Sequence, residues 1–353
     1  MQTCDSHSMT RPSVLCSIAI LLSLLTPAIG HGQYFGQNKV NYEDFDFKII
    51  KTPHFDVHFY PEEGAAVEDA TRMGERWYER LARLFEHEFE KPKPIILYAD
   101  HPDFQQTNTL SGRLSQGTGG VTEGLKNRVI MPLTGSYWDT DHVLGHELVH
   151  AFQYNIAQSR SSAGLRGLMT LPLWLIEGMA EYLSVGREDP LTAMWLRDAI
   201  RRDDLPTMTQ MTNERRFFPY RFGQALWAYI GGTYGDETIV ELFRAALRVG
   251  WEPAIEEVLL MSSDSLSADW KQAVQSEYLP LMQGKRDPAE SGALLLAPST
   301  GAGNQNISPS VSPDGTKVAF LSEKDLFSID LFIADARRGE IEKKLISANS
   351  DPH

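Results

Sequence analysis

One five-residue segment, His146-Glu147-Leu148-Val149-His150, constrains this 353-residue chain more than any other. On a helix, two histidines four positions apart sit one turn apart on the same face. The neighbours Leu148, Val149 and Phe152 are apolar, so that helix is expected to be substantially buried. Three polar side chains on a buried helix are costly unless something partners them. The spacing therefore predicts an amphipathic helix over 140–157, with Asp139 or Thr140 as its N-cap. On it, the imidazoles of His146 and His150 can reach one metal ion. Glu147 projects beside them, where its carboxylate would take a proton from a zinc-activated water.

A further ligand is expected from Trp174-Leu175-Ile176-Glu177-Gly178-Met179-Ala180-Glu181-Tyr182. Its two carboxylates are again one turn apart, among apolar neighbours. Glu177 is the candidate third zinc ligand, and Glu181 is the candidate acceptor for the far nitrogen of His146. Gly178 and Ala180 are small and would let this helix approach the motif helix closely. His142, one turn before His146, reads as a partly exposed neighbour.

The only cysteines, Cys4 and Cys16, stand in an N-terminal segment that reads as a signal peptide over 1–30. Arg11 supplies the positive start, Met9 is an alternative first residue, and 14–25 is an apolar run. Pro27, Ala28 and Gly30 suit a cleavage site. The run is short for a span, which needs about 20 apolar residues; an uncleaved anchor is the alternative. The expectation is an exported chain, periplasmic or secreted, with no stable membrane span after cleavage. Without cysteine in the mature chain, a zinc site must use His and carboxylate. The 33 basic and 47 acidic residues leave a net charge of -14, which argues against nucleic acid as a partner.

Strand patterns come first and helical ones later. Residues 45–60 alternate as one or two strands, 62–88 carries a helical apolar stripe ended by Pro92 and Pro94, and 95–98 is a buried strand. A Gly-rich stretch, 111–124, leads to a strand at 128–133, either structural or the edge strand along which a peptide would pair. After the motif helix and a loop at 159–167, only helices are expected to about residue 283. This predicts an α+β domain over 31–283 with an antiparallel or mixed sheet and a helical C-terminal half. Residues 284–305, rich in Gly, Ser, Pro and Ala, read as a linker.

The two motif segments together resemble the gluzincin metallopeptidases, in particular the peptidase MA-like domains. The resemblance covers about 45–280 and implies a zincin-like fold with zinc on His146, His150 and Glu177. The 26 residues between His150 and Glu177 exceed the roughly 18 of the similar aminopeptidases; an insertion near 159–168 would absorb the excess. Tyr220-Arg221-Phe222-Gly223 resembles their Tyr-x-x-Gly segment, which implies that Tyr220 steadies an oxyanion. A tyrosine that merely starts a helix is the alternative. No Gly-x-Met-x-Asn block accompanies Met131, which leans toward an endopeptidase.

The tail, Ile307-Ser308-Pro309-Ser310-Val311-Ser312-Pro313-Asp314-Gly315-Thr316-Lys317-Val318-Ala319-Phe320, resembles the repeat of TolB-like β-propellers. Pro-Asp-Gly turns into a strand at 317–321, and 331–335 fits the next. A partial propeller repeat, an incomplete blade over 306–353, is expected, from a longer architecture; an isolated hairpin packed on the first domain is the alternative. The functional expectation is a zinc-dependent metallopeptidase acting on peptide or protein substrates outside the cytoplasm. The alternative is a non-catalytic cell-envelope protein that binds envelope partners through the propeller.

Overall fold

A computed structural model describes residues 41–347, apart from 111, 113, 116, 161–163, 326 and 327. The expected signal peptide lies outside the described residues. The chain forms two compact units that divide between Tyr278 and Leu279.

The first unit is α+β. Its strands are β1 (Lys48–Lys51), β2 (Phe55–Phe59), β3 (Lys93–Tyr98), β4 (Val121–Glu123) and β5 (Arg128–Pro132), in the sheet order β1-β2-β3-β5-β4. The outer pairs are antiparallel and the two inner pairs are parallel, so the sheet is mixed. Parallel pairs need cover on both faces, and alternation along β3 supplies it. Ile95 and Leu97 enter the main core, whereas Tyr98 and the half-buried Ile96 face a smaller cluster with Tyr60, Phe104 and Ile130. Of the two readings of 128–133, the structural one fits, because the strand is interior. β5 pairs on both sides, and the edge is β4, a three-residue strand from the Gly-rich stretch.

Helix α1 (Ala66–Phe85) buries Met73, Trp77, Leu81 and Phe85 against the sheet. A short α2 (His101–Gln105) follows β3. Helix α3 (Tyr137–Arg160) carries the two-histidine motif and buries Leu148, Val149 and Phe152 in the same core. It starts three residues earlier than expected. Ser136 accepts the Asp139 N–H at 3.3 Å, so Ser136 rather than Asp139 or Thr140 caps it. Part of the expected 159–167 loop is helical, as α4 (Gly164–Met169).

The remaining helices are α5 (Leu173–Val185), α6 (Pro190–Arg201), α7 (Met208–Asn213), α8 (Pro219–Tyr234), α9 (Asp236–Val249), α10 (Trp251–Leu259) and α11 (Ser263–Met282). Gly178 does bring two backbones together, but its neighbour is α8 rather than the motif helix. A Cβ at 178 would stand 2.5 Å from the Gly223 backbone, and one at 223 would stand 2.4 Å from the Trp174 carbonyl. That glycine-on-glycine crossing brings the first turn of α8 beside the carboxylates of α5. Among the described residues no helix is long and apolar enough to cross a membrane.

The second unit holds four antiparallel strands in sequence order, β6 (Asn306–Val311), β7 (Lys317–Ser322), β8 (Asp330–Asp335) and β9 (Ile341–Ile346). Two of these, β6 and β9, were not expected as strands; their burial follows no clean alternation. The Pro313-Asp314-Gly315 turn is stabilised by Asp314, which accepts from the Thr316 N–H at 3.0 Å and from the Ser312 hydroxyl at 2.7 Å. Val318, Phe320, Phe332 and Ala334 form its core. Leu295, Leu296 and Ala302, from the stretch expected to be a bare linker, pack against that core.

Candidate metal centre

Two helices bring the three expected ligands to one point. On α3, His146 and His150 project from successive turns. On α5, which starts after Pro172 and stops at Gly186 with φ 91°, Glu177 faces them. The two imidazole nitrogens meet, His146 Nε2 to His150 Nε2, at 3.1 Å. Glu177 Oε2 lies 3.3 Å from the first and 3.0 Å from the second. Donors about 2.0–2.2 Å from a tetrahedral ion stand roughly 3.3–3.5 Å apart, so this triangle is slightly contracted from the size zinc requires. The histidines are 8% and 7% exposed, which leaves little water to satisfy two nitrogens aimed at each other. Such a pair needs a shared proton or a cation between them. The donor set, two imidazoles and a carboxylate, suits zinc.

The electrostatics match that arrangement. Burial alone would raise the Glu177 carboxyl. The charge of His150 and hydrogen bonds from both histidines outweigh it and hold Glu177 well below the usual carboxylate range. Burial alone would lower His150, but the charge and hydrogen bond of Glu177 push it up to about 9.

Each candidate ligand histidine faces a polar group on its far side, hydrogen-bonded for His150 but not for His146. His150 Nδ1 lies 2.8 Å from Gln153 Oε1, and the same amide donates to the Ile176 carbonyl at 3.1 Å. Gln153 is fully buried, and with both ends engaged its orientation is fixed. Sequence reasoning missed it, although its place one turn after His150 on a buried face was a legible signal. His146 Nδ1 lies 3.5 Å from Glu181 Oε1, an ion-pair distance. Glu181 in turn faces His142 Nε2 at 3.3 Å and Arg221 Nη1 at 3.7 Å. Burial would raise Glu181, but His142, His146 and Arg221 together lower it. His142 is half-buried and turned toward Glu181 rather than toward solvent. Arg221 is held by Asp189 at 2.9 Å, which also caps α6 through the Thr192 N–H at 2.7 Å.

Glu147 sits beside the triangle under the sheet edge. The hydroxyl of Thr122, on β4, lies 2.6 Å from Glu147 Oε2 and 2.8 Å from the Glu147 carbonyl oxygen. Gly120 leaves room for this carboxylate, since a Cβ there would stand 2.8 Å from Glu147 Cγ. Thr122 was not foreseen; nothing in a three-residue strand after a Gly-rich stretch signals that contact.

Tyr220 enters from the first turn of α8. Its ring lies nearly parallel to His146, at 5.8 Å and 15°. Burial, then the charge and hydrogen bond of Glu177, raise the phenol, so it remains a proton donor. A cleft of about 410 Å³ opens onto His146, Glu147 and Tyr220, with Gly119, Gly120 and Phe218 in its walls. A larger cavity of about 720 Å³ lies among α6, α8 and α11. No ligand set converges there: among the described residues the groups able to hold a metal are His146, His150 and Glu177, and His142, His146 and Glu181.

Comparison with known proteins returned no match among family models, curated proteins or solved structures.

Proposed function

We propose that the first unit is a zincin-like, gluzincin-type zinc metallopeptidase that hydrolyses peptide bonds outside the cytoplasm. The observation that carries this reading is the facing pair of imidazole nitrogens 3.1 Å apart, with Glu177 Oε2 within 3.3 Å of both. When bound, zinc supplies Lewis acidity toward a carbonyl and eases deprotonation of water. The chain's own residues do the rest. Glu147, with one carboxylate oxygen held by Thr122, takes a proton as general base and returns it to the leaving amine. The Tyr220 phenol donates its hydrogen bond toward the developing oxyanion. Glu181 and Gln153 orient the two ligand histidines from behind. β4 ends the sheet, and an extended peptide would pair along it. Export rests on the N-terminal pattern of Arg11, an apolar run and small residues.

The test is metal analysis joined to mutation. Purified protein should carry zinc, and Glu147→Gln should keep the zinc while losing hydrolysis of a peptide library. Protein that hydrolyses peptides equally well after Glu147→Gln would sink the proposal.

The second reading, a non-catalytic envelope protein, draws on the second unit. Its four antiparallel strands in sequence order match the strand count of a propeller blade. Its outer strands leave Val311 and Ile346 open, at 63% and 61% exposure. A pull-down that recovers envelope partners, from a protein that cleaves nothing in the library, would favour it.

A further inference from the structure

A staircase of rings leads out of the metal cleft. Its first step is Tyr220 on His146. Phe218 follows on Tyr220, with centroids 5.1 Å apart and planes 27° apart. Trp195 follows on Phe218, at 5.5 Å and 33°. The inner steps are half-buried, but Phe218 is 40% and Trp195 38% exposed. Phe218 lines the cleft together with His146, Glu147 and Tyr220. Leu191 and Met194, on the same helix as Trp195, are each 51% exposed. Large apolar side chains left open singly are ordinary, whereas exposed rings stacked one on another from a cleft outward mark an interaction site.

The staircase is anchored from behind and idle in front. Trp195 packs edge-on against the buried Phe222, at 6.0 Å and 87°. Phe218 occupies the N-cap position of α8 but makes no side-chain capping bond, and Pro219 starts that helix. The fold therefore does not need the Phe218 ring for the cap or the core. The neighbouring cation does not compete for a ligand, because Arg221 is engaged by Asp189 and Glu181. The same cleft carries Glu147 and Glu181, which repel an acidic side chain. What this wall offers is ring surface.

We infer that Phe218 and Trp195 form a specificity subsite for an aromatic or large aliphatic side chain of a peptide, held at a fixed register from the bond to be cleaved. The inference rests on the peptidase reading and names the substrate class for it. A buried ring is recognised by the area it removes from water, and truncating its platform costs roughly ten- to hundredfold in affinity.

The experiment uses zinc-loaded Glu147→Gln protein and blocked Gly/Ser peptides, each with or without one Phe, with binding measured by calorimetry. The Phe peptides should bind at least about tenfold tighter than the Gly/Ser parent. Phe218→Ala should erase that preference, and Trp195→Ala should reduce it. In wild-type protein, the cleavage point should move with the Phe along the peptide. Equal affinity for both peptides, or a preference that survives Phe218→Ala, overturns the subsite. A binding preference lost in Phe218→Ala, without cleavage by the wild type, supports the subsite and overturns only the peptidase reading.

Discussion

Two histidine–carboxylate clusters share helix α3, and they differ in one component. In the first, His146, His150 and Glu177 converge, and among the described residues no Lys or Arg pairs with Glu177. In the second, His142 and His146 face different oxygens of Glu181 at 3.3 and 3.5 Å, and Arg221 stands 3.7 Å from Glu181 and is itself braced by Asp189. The residue types are the same. The second cluster has Arg221 beside its carboxylate, and in the first Glu177 faces only the two imidazoles. The difference teaches that ligand type and spacing nominate a metal site, while the unfilled demand for positive charge selects between candidates. On the proposed reading the second cluster braces His146.

The largest expected effect separates chemistry from binding within the first cluster. Glu147→Gln should lower kcat for peptide hydrolysis by about 10²–10⁴, with zinc content unchanged by metal analysis. Tyr220→Phe removes one donor and should cost kcat about 10²–10³, with little change in KM. If KM rises while kcat holds, the phenol binds substrate rather than the transition state. Gln153→Leu should weaken zinc binding about 10–100-fold, read by competition with a chelator; an unchanged affinity would make Gln153 a packing residue only.

A smaller effect comes from a buried carboxylate that, among the described residues, pairs with no cation. Glu63 accepts the Tyr60 N–H at 3.1 Å, and its other oxygen is buried without a partner. Burial pushes this carboxyl up from 4.5 to about 8, opposite in direction to Glu177. The folded state therefore holds a proton that the unfolded chain releases. The stability contributed is fully present below pH 4.5 and is lost as pH rises through about 8. The loss should be on the order of a few kcal/mol. Thermal unfolding of the wild type between pH 5 and 8.5 should fall more steeply than that of Glu63→Gln. Parallel curves would contradict this assignment.

The part of the site legible in the sequence was the part written in helical spacing. His146 and His150 on one helix, and Glu177 and Glu181 on the next, follow from separations of four. Tertiary approach carries the rest. Thr122 reaches Glu147 only because β4, too short to show alternation, closes the sheet beyond β5. Gly178 was read as a small residue facing α3, but its missing side chain makes way for Gly223 of α8, and only the folded chain brings those glycines together. The Asp189–Arg221–Glu181 chain joins three helices and leaves no local pattern. In the fold, the α+β arrangement was readable from strands preceding helices. Sheet order was not, since it depends on parallel crossovers over α1 and on the pairing of a three-residue edge. In the second unit, β7 and β8 alternate and were legible, whereas β6 and β9 do not.

Zinc stoichiometry tests the central claim most directly. After dialysis against micromolar zinc and then metal-free buffer, the wild type and His142→Asn should each retain about one zinc per chain, while Glu177→Ala and His150→Ala retain none. Wild-type protein without zinc, or zinc lost in His142→Asn and kept in Glu177→Ala, would contradict the account.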